Sequence, residues 1–182
     1  MNLEQETPRL LMRVLTKEYA PQVLEFYRKN AEIFEQYEPI VGDDFYSLRH
    51  HEQLLSHEYN EIIKLRMLRF WLFEKDNPEE IIGTICFQNI TPNIFASASV
   101  GYKMDASYRR QGYCYEALVS GLKLVSQEIG IRRFEALVLP ENIPSISLLE
   151  KIGFSREGLL KDKVFLQNRW RDHYLYSLII KQ

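Results

Sequence analysis

Hydrophobic positions along the chain repeat with two periods, and the change from one to the other marks out the elements. Around the run SASVGYKMD, Ala96, Ala98, Val100, Tyr102 and Met104 fall on one face and Ser97, Ser99, Gly101 and Lys103 on the other, the period of a β-strand. Further on the period becomes helical. Leu118, Leu122, Val125 and Ile129 recur at helix spacing, and Gly130 supplies a C-terminal stop. Phe134, Ala136, Leu137, Val138 and Leu139 then read as a buried strand. Asn142 is placed to cap a following helix, with Pro144 in its first turn, Leu148, Leu149 and Ile152 as its buried stripe and Gly153 at its end.

The N-terminal half is read in the same way. Leu10 to Leu15 suits a first strand. Val23, Phe26, Tyr27, Phe34 and Tyr37 suit a helical region broken near Asn30 and ended at Glu38-Pro39, because the residue before proline disfavours helix. Phe45, Leu48, Leu55, Tyr59, Ile62 and Ile63 suit a second helix. Leu68 to Glu74 and Ile81 to Gln88 are strands around an Asp76-Asn77-Pro78 turn, and Thr91-Pro92-Asn93 is a further turn. Glu157 to Gln167 and Arg169 to Ile180 form a final hairpin. The pattern predicts an α+β fold: a mixed, mostly antiparallel sheet with helices on both faces.

Between the alternating strand and its helix lies Arg109-Arg110-Gln111-Gly112-Tyr113-Cys114. A helix N-terminus exposes unpaired N–H groups and partial positive charge, so it binds anions. Gly112 lets backbone approach a ligand closely, and two arginines add fixed charge for phosphate. Alone, such a turn reads more readily as solvated surface than as a binding site. The second constellation, Glu141-Asn142-Ile143-Pro144-Ser145, follows about thirty residues later and starts a helix after the next strand. Two successive helix N-termini then face one side of a sheet, which favours a pyrophosphate cradle.

At these residues the chain resembles the GNAT N-acetyltransferases. RRQGYCYEAL is similar to their R/Q-x-x-G-x-G/A acyl-CoA signature, and ENIPSISLLEKIGF to the N-x-x-S…EK-x-GF segment that follows it. TPRLLMRVLTKEYAPQVLEFY, FEQYEP and Trp170-Arg171-Asp172-His173 resemble the RimJ/RimL branch, which acetylates N-termini of ribosomal proteins. The resemblance covers nearly the whole chain. It implies one domain over 1–182 with a 9–178 core, and a GNAT fold whose twisted sheet has about seven strands. It also implies acetyl-CoA as cosubstrate, lying where two strands splay apart. The pantetheine arm would pair along Tyr102, Lys103 and Met104, and the pyrophosphate would sit among Arg109, Arg110, Gln111, Gly112, Tyr113, Cys114 and Tyr115. Asn142 would hydrogen-bond the pantetheine arm or cofactor backbone. A primary amine would attack the thioester directly, without a cysteine nucleophile.

Two proton transfers accompany that chemistry: the amine loses a proton and the departing thiolate needs one. Ser145 matches the serine proposed as the thiol-side acid in ribosomal N-acetyltransferases, and it reads equally as a helix-start cap. The sequence departs from the family at three positions. Leu149 stands where many relatives outside this branch have a tyrosine acid, Val164 where a RimL-type enzyme has its glutamate base, and Cys114 where the loop ends in glycine or alanine. Cys114 fits sterically, with a thiol that could crowd the pyrophosphate. The base is open among Glu38, His173, Glu135 and a water chain. Glu38 reads as a solvated helix-end carboxylate beside Tyr37 on the acceptor side, and His173 as a base or as a partner of Asp172. Tyr37, Glu38 and His173 are therefore the acceptor-side candidates.

Bulk properties narrow the remainder. A net charge of −2 and a pI near 6.1 give no broad basic surface, which argues against nucleic acid as a partner. No apolar run reaches membrane-spanning length, and MNLEQETPRL lacks the features of a signal peptide, so no membrane partner and a cytoplasmic location are expected. The two cysteines, Cys86 and Cys114, read as reduced thiols. No metal is expected: His50, His51 and His57 lack the i, i+4 spacing of a helical metal site and read as helix-surface residues. Trp71, Phe73, Tyr115 and Trp170 read as core, while Tyr102 and Tyr113 adjoin the cofactor path. Relatives often pair through their C-terminal strands, so a homodimer is one candidate assembly, and the oligomeric state stays open. Three functions stay open: acetylation of a protein N-terminus, acetylation of a small amine such as a polyamine, amino acid or aminoglycoside, and a non-catalytic acyl-CoA sensor.

Overall fold

A computed structural model of the chain describes residues 3–39 and 42–181. Eight strands form one sheet in the order β1-β2-β3-β4-β5-β6-β8-β7. They are β1 (Glu4–Glu6), β2 (Leu10–Arg13), β3 (Leu68–Glu74), β4 (Gly83–Thr91), β5 (Ser97–Met104), β6 (Arg133–Val138), β7 (Ser155–Leu166) and β8 (Arg169–Ile179). Every pairing is antiparallel except that of β5 with β6. The sheet therefore has eight strands where about seven are expected, because β1 is a three-residue polar strand with no hydrophobic period to reveal it.

The helices are α1 (Ala20–Lys29), α2 (Ala31–Phe34), α3 (Leu48–Ile63), α4 (Tyr113–Ile129) and α5 (Ile143–Ile152). The expected break near Asn30 is the α1–α2 boundary. The buried Asn30 amide donates to Phe26 O at 2.9 Å and to the Asp105 carboxylate at 3.0 Å, tying the break to the end of β5. Gly130 and Gly153 end α4 and α5 at φ +80° and +109°, left-handed conformations that cost glycine little.

Burial divides into two clusters, one on each face of the sheet. One joins Phe87, Val100, Phe134, Val138 and Tyr176 to Leu118, Leu122 and Val125 of α4 and Leu149 of α5. The other joins Trp71 and Phe73 to Val23, Phe26 and Tyr27 of α1, Phe34 of α2 and Leu55 of α3. Three sequence expectations need correction. Leu137 is not buried; it is 43% exposed, because β6 alternates and only its even-numbered residues join the core. Trp170 is 60% exposed, standing near the hairpin tip edge-on to Phe165. His51 is not on a helix surface: His51, Leu55, Glu58 and Ile62 form the buried stripe of α3.

The His51 imidazole stacks on the Tyr27 ring, with centroids 5.3 Å apart. Burial, and after it the charge of neighbouring His50, pushes its pKa down from 6.5 to about 4. Between those values the unfolded chain binds the proton and the folded chain does not. Stability is therefore full above pH 6.5 and falls as pH drops toward 4. Replacing His51 with phenylalanine should remove an acid-induced loss on the order of 2–3 kcal/mol. Urea unfolding of both proteins at pH 7 and pH 4 tests this, and parallel losses in the two would refute it.

Candidate active site

The parallel pairing of β5 with β6 covers only Ser97–Ser99 against Arg133–Glu135. Both strands continue, β5 to Met104 and β6 to Val138, each held on its outer side by β4 or β8. From Val100 onward they separate, leaving a wedge whose β5 edge has no strand partner among the described residues. Unpaired backbone groups at a strand edge accept an added extended chain.

Helix N-termini flank this wedge. Gly112, at φ +84°, caps α4, and the helical ladder starts with Glu116 N–H donating to Gly112 O at 3.0 Å. The N–H groups of Tyr113, Cys114 and Tyr115 precede that first bond and have no intrahelical acceptor. Arg109, Arg110, Gln111 and Gly112 are exposed around them. The Tyr113 ring is buried, however, and its hydroxyl donates to Glu74 of β3, so its side chain braces the turn. The Cys114 side chain packs against the core cluster around α4, where burial pushes its thiol up to about 12.

At α5 the two readings of Ser145 separate. Asn142 is the cap: its Oδ1 accepts from Ser145 N–H at 3.2 Å, and its NH₂ makes no hydrogen bond among the described residues. The Ser145 hydroxyl reaches across the wedge to the Tyr102 hydroxyl at 2.6 Å. Burial pushes the Tyr102 phenol well above the ordinary tyrosine range, so it stays protonated.

Sheet parity places the remaining candidates. Ala98 of β5 lies beside Phe134 of β6, and Val138 of β6 beside Tyr174 of β8. Tyr102, Val138 and Tyr176 thus belong to the α4–α5 face, and Lys103, Glu135, Leu137 and His173 to the other. The Lys103 ammonium meets the Glu38 carboxylate at 2.6 Å, which fixes the end of the α1–α2 region over that second face. Glu38 is therefore ion-paired and not simply solvated. The Lys103 ammonium also lies 5.1 Å from the Tyr27 ring centroid. Burial opposes its charge, but Tyr27 and Glu38 outweigh burial and hold its pKa above the ordinary lysine value. Tyr37, half-buried, donates its N–H to Phe34 O in the turn just before Glu38.

Glu135 is bound by Arg133 at 2.5 Å, and Glu141 is ion-paired to Arg171. Asp172 pairs with Lys161 at 2.7 Å, so it is not the partner of His173. His173 Nδ1 instead lies 3.1 Å from Arg171 O. A carbonyl only accepts, so Nδ1 carries a proton, which leaves Nε2 as the ring atom that can serve an incoming group. The hairpin tip closes this side: Gln167 Nε2 donates to Glu35 O at 3.2 Å and Gln36 O at 2.9 Å. That contact spans more than 130 positions and has no sequence signature. Among the described residues, no group of His, Cys, Asp and Glu is arranged to hold a metal ion, and no helix is long and apolar enough to cross a membrane.

Comparison with known proteins agrees with this geometry. The Vibrio fischeri ribosomal-protein-S5-alanine acetyltransferase superposes with a TM-score of 0.91 at 24% identity, covering 98% of this chain and 97% of that one, a likeness of fold. Mycobacterium smegmatis RimJ, solved in complex with CoA-disulfide, superposes at 0.87 with 29% identity over 93% of this chain and 81% of that one. The Escherichia coli ribosomal protein uS5-alanine N-acetyltransferase is 30% identical over 173 residues, 94% of this chain and 88% of that protein. The family model for the acetyltransferase (GNAT) domain matches residues 9–155. A splayed parallel strand pair between two capped helix starts, on a chain matched over most of its length, places this protein in the GNAT acetyltransferase family.

Proposed function

We propose that this chain transfers the acetyl group of acetyl-CoA to a primary amine, and that the amine is the N-terminus of a protein. The observation that carries the reading is the wedge beyond Ser99 and Glu135, with an unpaired strand edge leading to the α4 N-terminus. Acetyl-CoA, when bound, supplies the thioester whose carbonyl carbon the amine attacks. The chain's own residues do the rest. The β5 edge from Val100 to Met104 holds the pantetheine arm, Asn142 donates to it through its NH₂, and the N–H groups from Arg110 to Tyr115 hold the pyrophosphate.

The proton transfers divide between the two faces of the sheet. On the acceptor face, His173 Nε2 takes the proton of the attacking amine. As the carbon–sulfur bond breaks, Ser145 on the other face, oriented by Tyr102, hands its hydroxyl proton to sulfur and takes one back from solvent. Glu38 and Glu135 are already bound to Lys103 and Arg133, which leaves His173 as the better base. The same ion pairing favours a peptide over a polyamine or aminoglycoside. Those ligands need unpaired carboxylates, and Glu38, Glu135 and Glu141 each hold a cation. A E. coli relative named for acetylating a ribosomal protein supports the same choice.

Thiol release from acetyl-CoA across N-terminal peptides, polyamines and aminoglycosides, with CoA binding by calorimetry, tests the proposal. Turnover on peptides alone supports it. Turnover on a small amine alone replaces the acceptor, and tight CoA binding with silence on every amine favours a sensor. Ser145→Ala should lower kcat about tenfold or more while leaving the CoA Kd nearly unchanged. Tyr102→Phe should do part of the same damage, and the double variant little more than Ser145→Ala. Additive losses would separate the two hydroxyls.

A further inference from the structure

The α4 turn is braced by a residue from the other end of the chain. The Arg9 guanidinium lies over the Tyr113 ring, 4.3 Å from its centroid. Its Nε donates to Glu116 Oε2 at 2.7 Å and its Nη1 to Gln111 O at 3.0 Å. Its Nη2 makes no hydrogen bond among the described residues and faces Gly112: a Cβ built there would sit 3.3 Å from it. The Arg9 side chain is 45% exposed, so Nη2 is open toward the cradle.

Glu116 explains why an arginine is needed. It is the fourth residue of α4, a carboxylate one turn from the N–H groups proposed to hold pyrophosphate. Burial opposes its charge, but hydrogen bonds from Thr7 Oγ1 (2.6 Å) and Arg9 N–H (2.9 Å), together with the guanidinium, hold it ionised. An uncompensated anion there would repel a phosphate.

We propose that Arg9 is a positioning residue of the acyl-CoA site, which masks the Glu116 charge, fixes the Gln111–Gly112 turn and turns Nη2 toward the bound phosphate. The proposal rests on the acetyl-CoA reading above. It also gives the N-terminal TPRL segment a role in cofactor binding. Backbone bonds already anchor that segment, from Arg9 N–H to Glu116 and from Lys75 N–H to Arg9 O. Removing the side chain therefore spares the fold contact.

The test is calorimetric CoA binding to wild type, Arg9→Ala, Glu116→Gln and the double variant, with thermal unfolding to confirm that each is folded. Arg9→Ala should weaken CoA about tenfold or more, the loss expected for a charge-assisted contact. Glu116→Gln keeps an acceptor for Thr7 and for the Arg9 backbone, so it should bind CoA near wild type. The double variant should recover the part of the loss that comes from the unmasked Glu116 charge and bind CoA between Arg9→Ala and wild type, because the contacts of Nη1 and Nη2 stay lost. Wild-type affinity in Arg9→Ala overturns the proposal. So does equal weakening in all three variants, which a merely structural clasp would give. If wild type itself fails to bind CoA, the acetyl-CoA reading fails, and this proposal with it.

Discussion

Replacing Gly112 with aspartate is expected to abolish acetyl-CoA binding while leaving a folded protein. Gly112 sits at φ +84°, where a side-chain-bearing residue costs roughly 1–2 kcal/mol. The new Cβ would lie 3.3 Å from the flexible end of Arg9, a contact that a small movement of the guanidinium relieves. The charge decides the outcome. A carboxylate at the cap of α4 accepts the N–H groups a phosphate would need, occupies their space and repels the phosphate. It also draws the Arg9 guanidinium to itself. A loss beyond about 100-fold in calorimetric CoA affinity is expected, since hydrogen bonds to a charged group contribute about 1.5–3 kcal/mol each and several go together. Gly112→Ala separates backbone strain from charge and should lose much less. Wild-type affinity in the aspartate variant would show that the cradle lies elsewhere.

The second large effect is expected at His173. Asparagine there can place its amide nitrogen near the site of Nδ1 and keep the bond to Arg171 O, but it has no basic nitrogen in place of Nε2. A positioned general base contributes about 100-fold or more to rate, so His173→Asn should lower kcat by that order with CoA affinity unchanged. His173 is 5% exposed, so a packing defect is the competing explanation. Addition of imidazole distinguishes the two: partial rescue of turnover indicates a missing base, and a lowered melting temperature without rescue indicates packing. Unchanged turnover in a folded His173→Asn protein would remove His173 from the mechanism.

Elements with a strong period were legible before the structure was seen. Leu68–Glu74 falls on its expected bounds, and α4 ends at Gly130 as its spacing requires. Asn142 caps α5, and the turn at Gln111–Gly112 leads into α4. What escaped depends on contacts far apart in the chain. His51 looks polar in sequence, yet it occupies the buried stripe of α3 beneath Tyr27. Glu38 looks solvated because Lys103, its partner, lies 65 positions away on β5. Asp172 and His173 are neighbours in sequence, but adjacent strand residues point to opposite faces, so they do not pair. Arg9 and Glu116 are separated by 107 positions, and no local pattern joins them.

The two hydrophobic clusters give the sheet separate foundations. α4 and α5 rest on one, and α1 and α2 rest on the other. Distant, independent substitutions add in their effects. Repacking around Phe26, Phe34 and Trp71 can therefore reshape the face proposed to meet the amine with little consequence for the face proposed to hold the cofactor. If the proposed division of roles holds, one recipient can be exchanged for another while the half proposed to bind the cofactor stays fixed, and an engineer could retarget the enzyme by redesigning α1, α2 and the turn after them without touching Arg9.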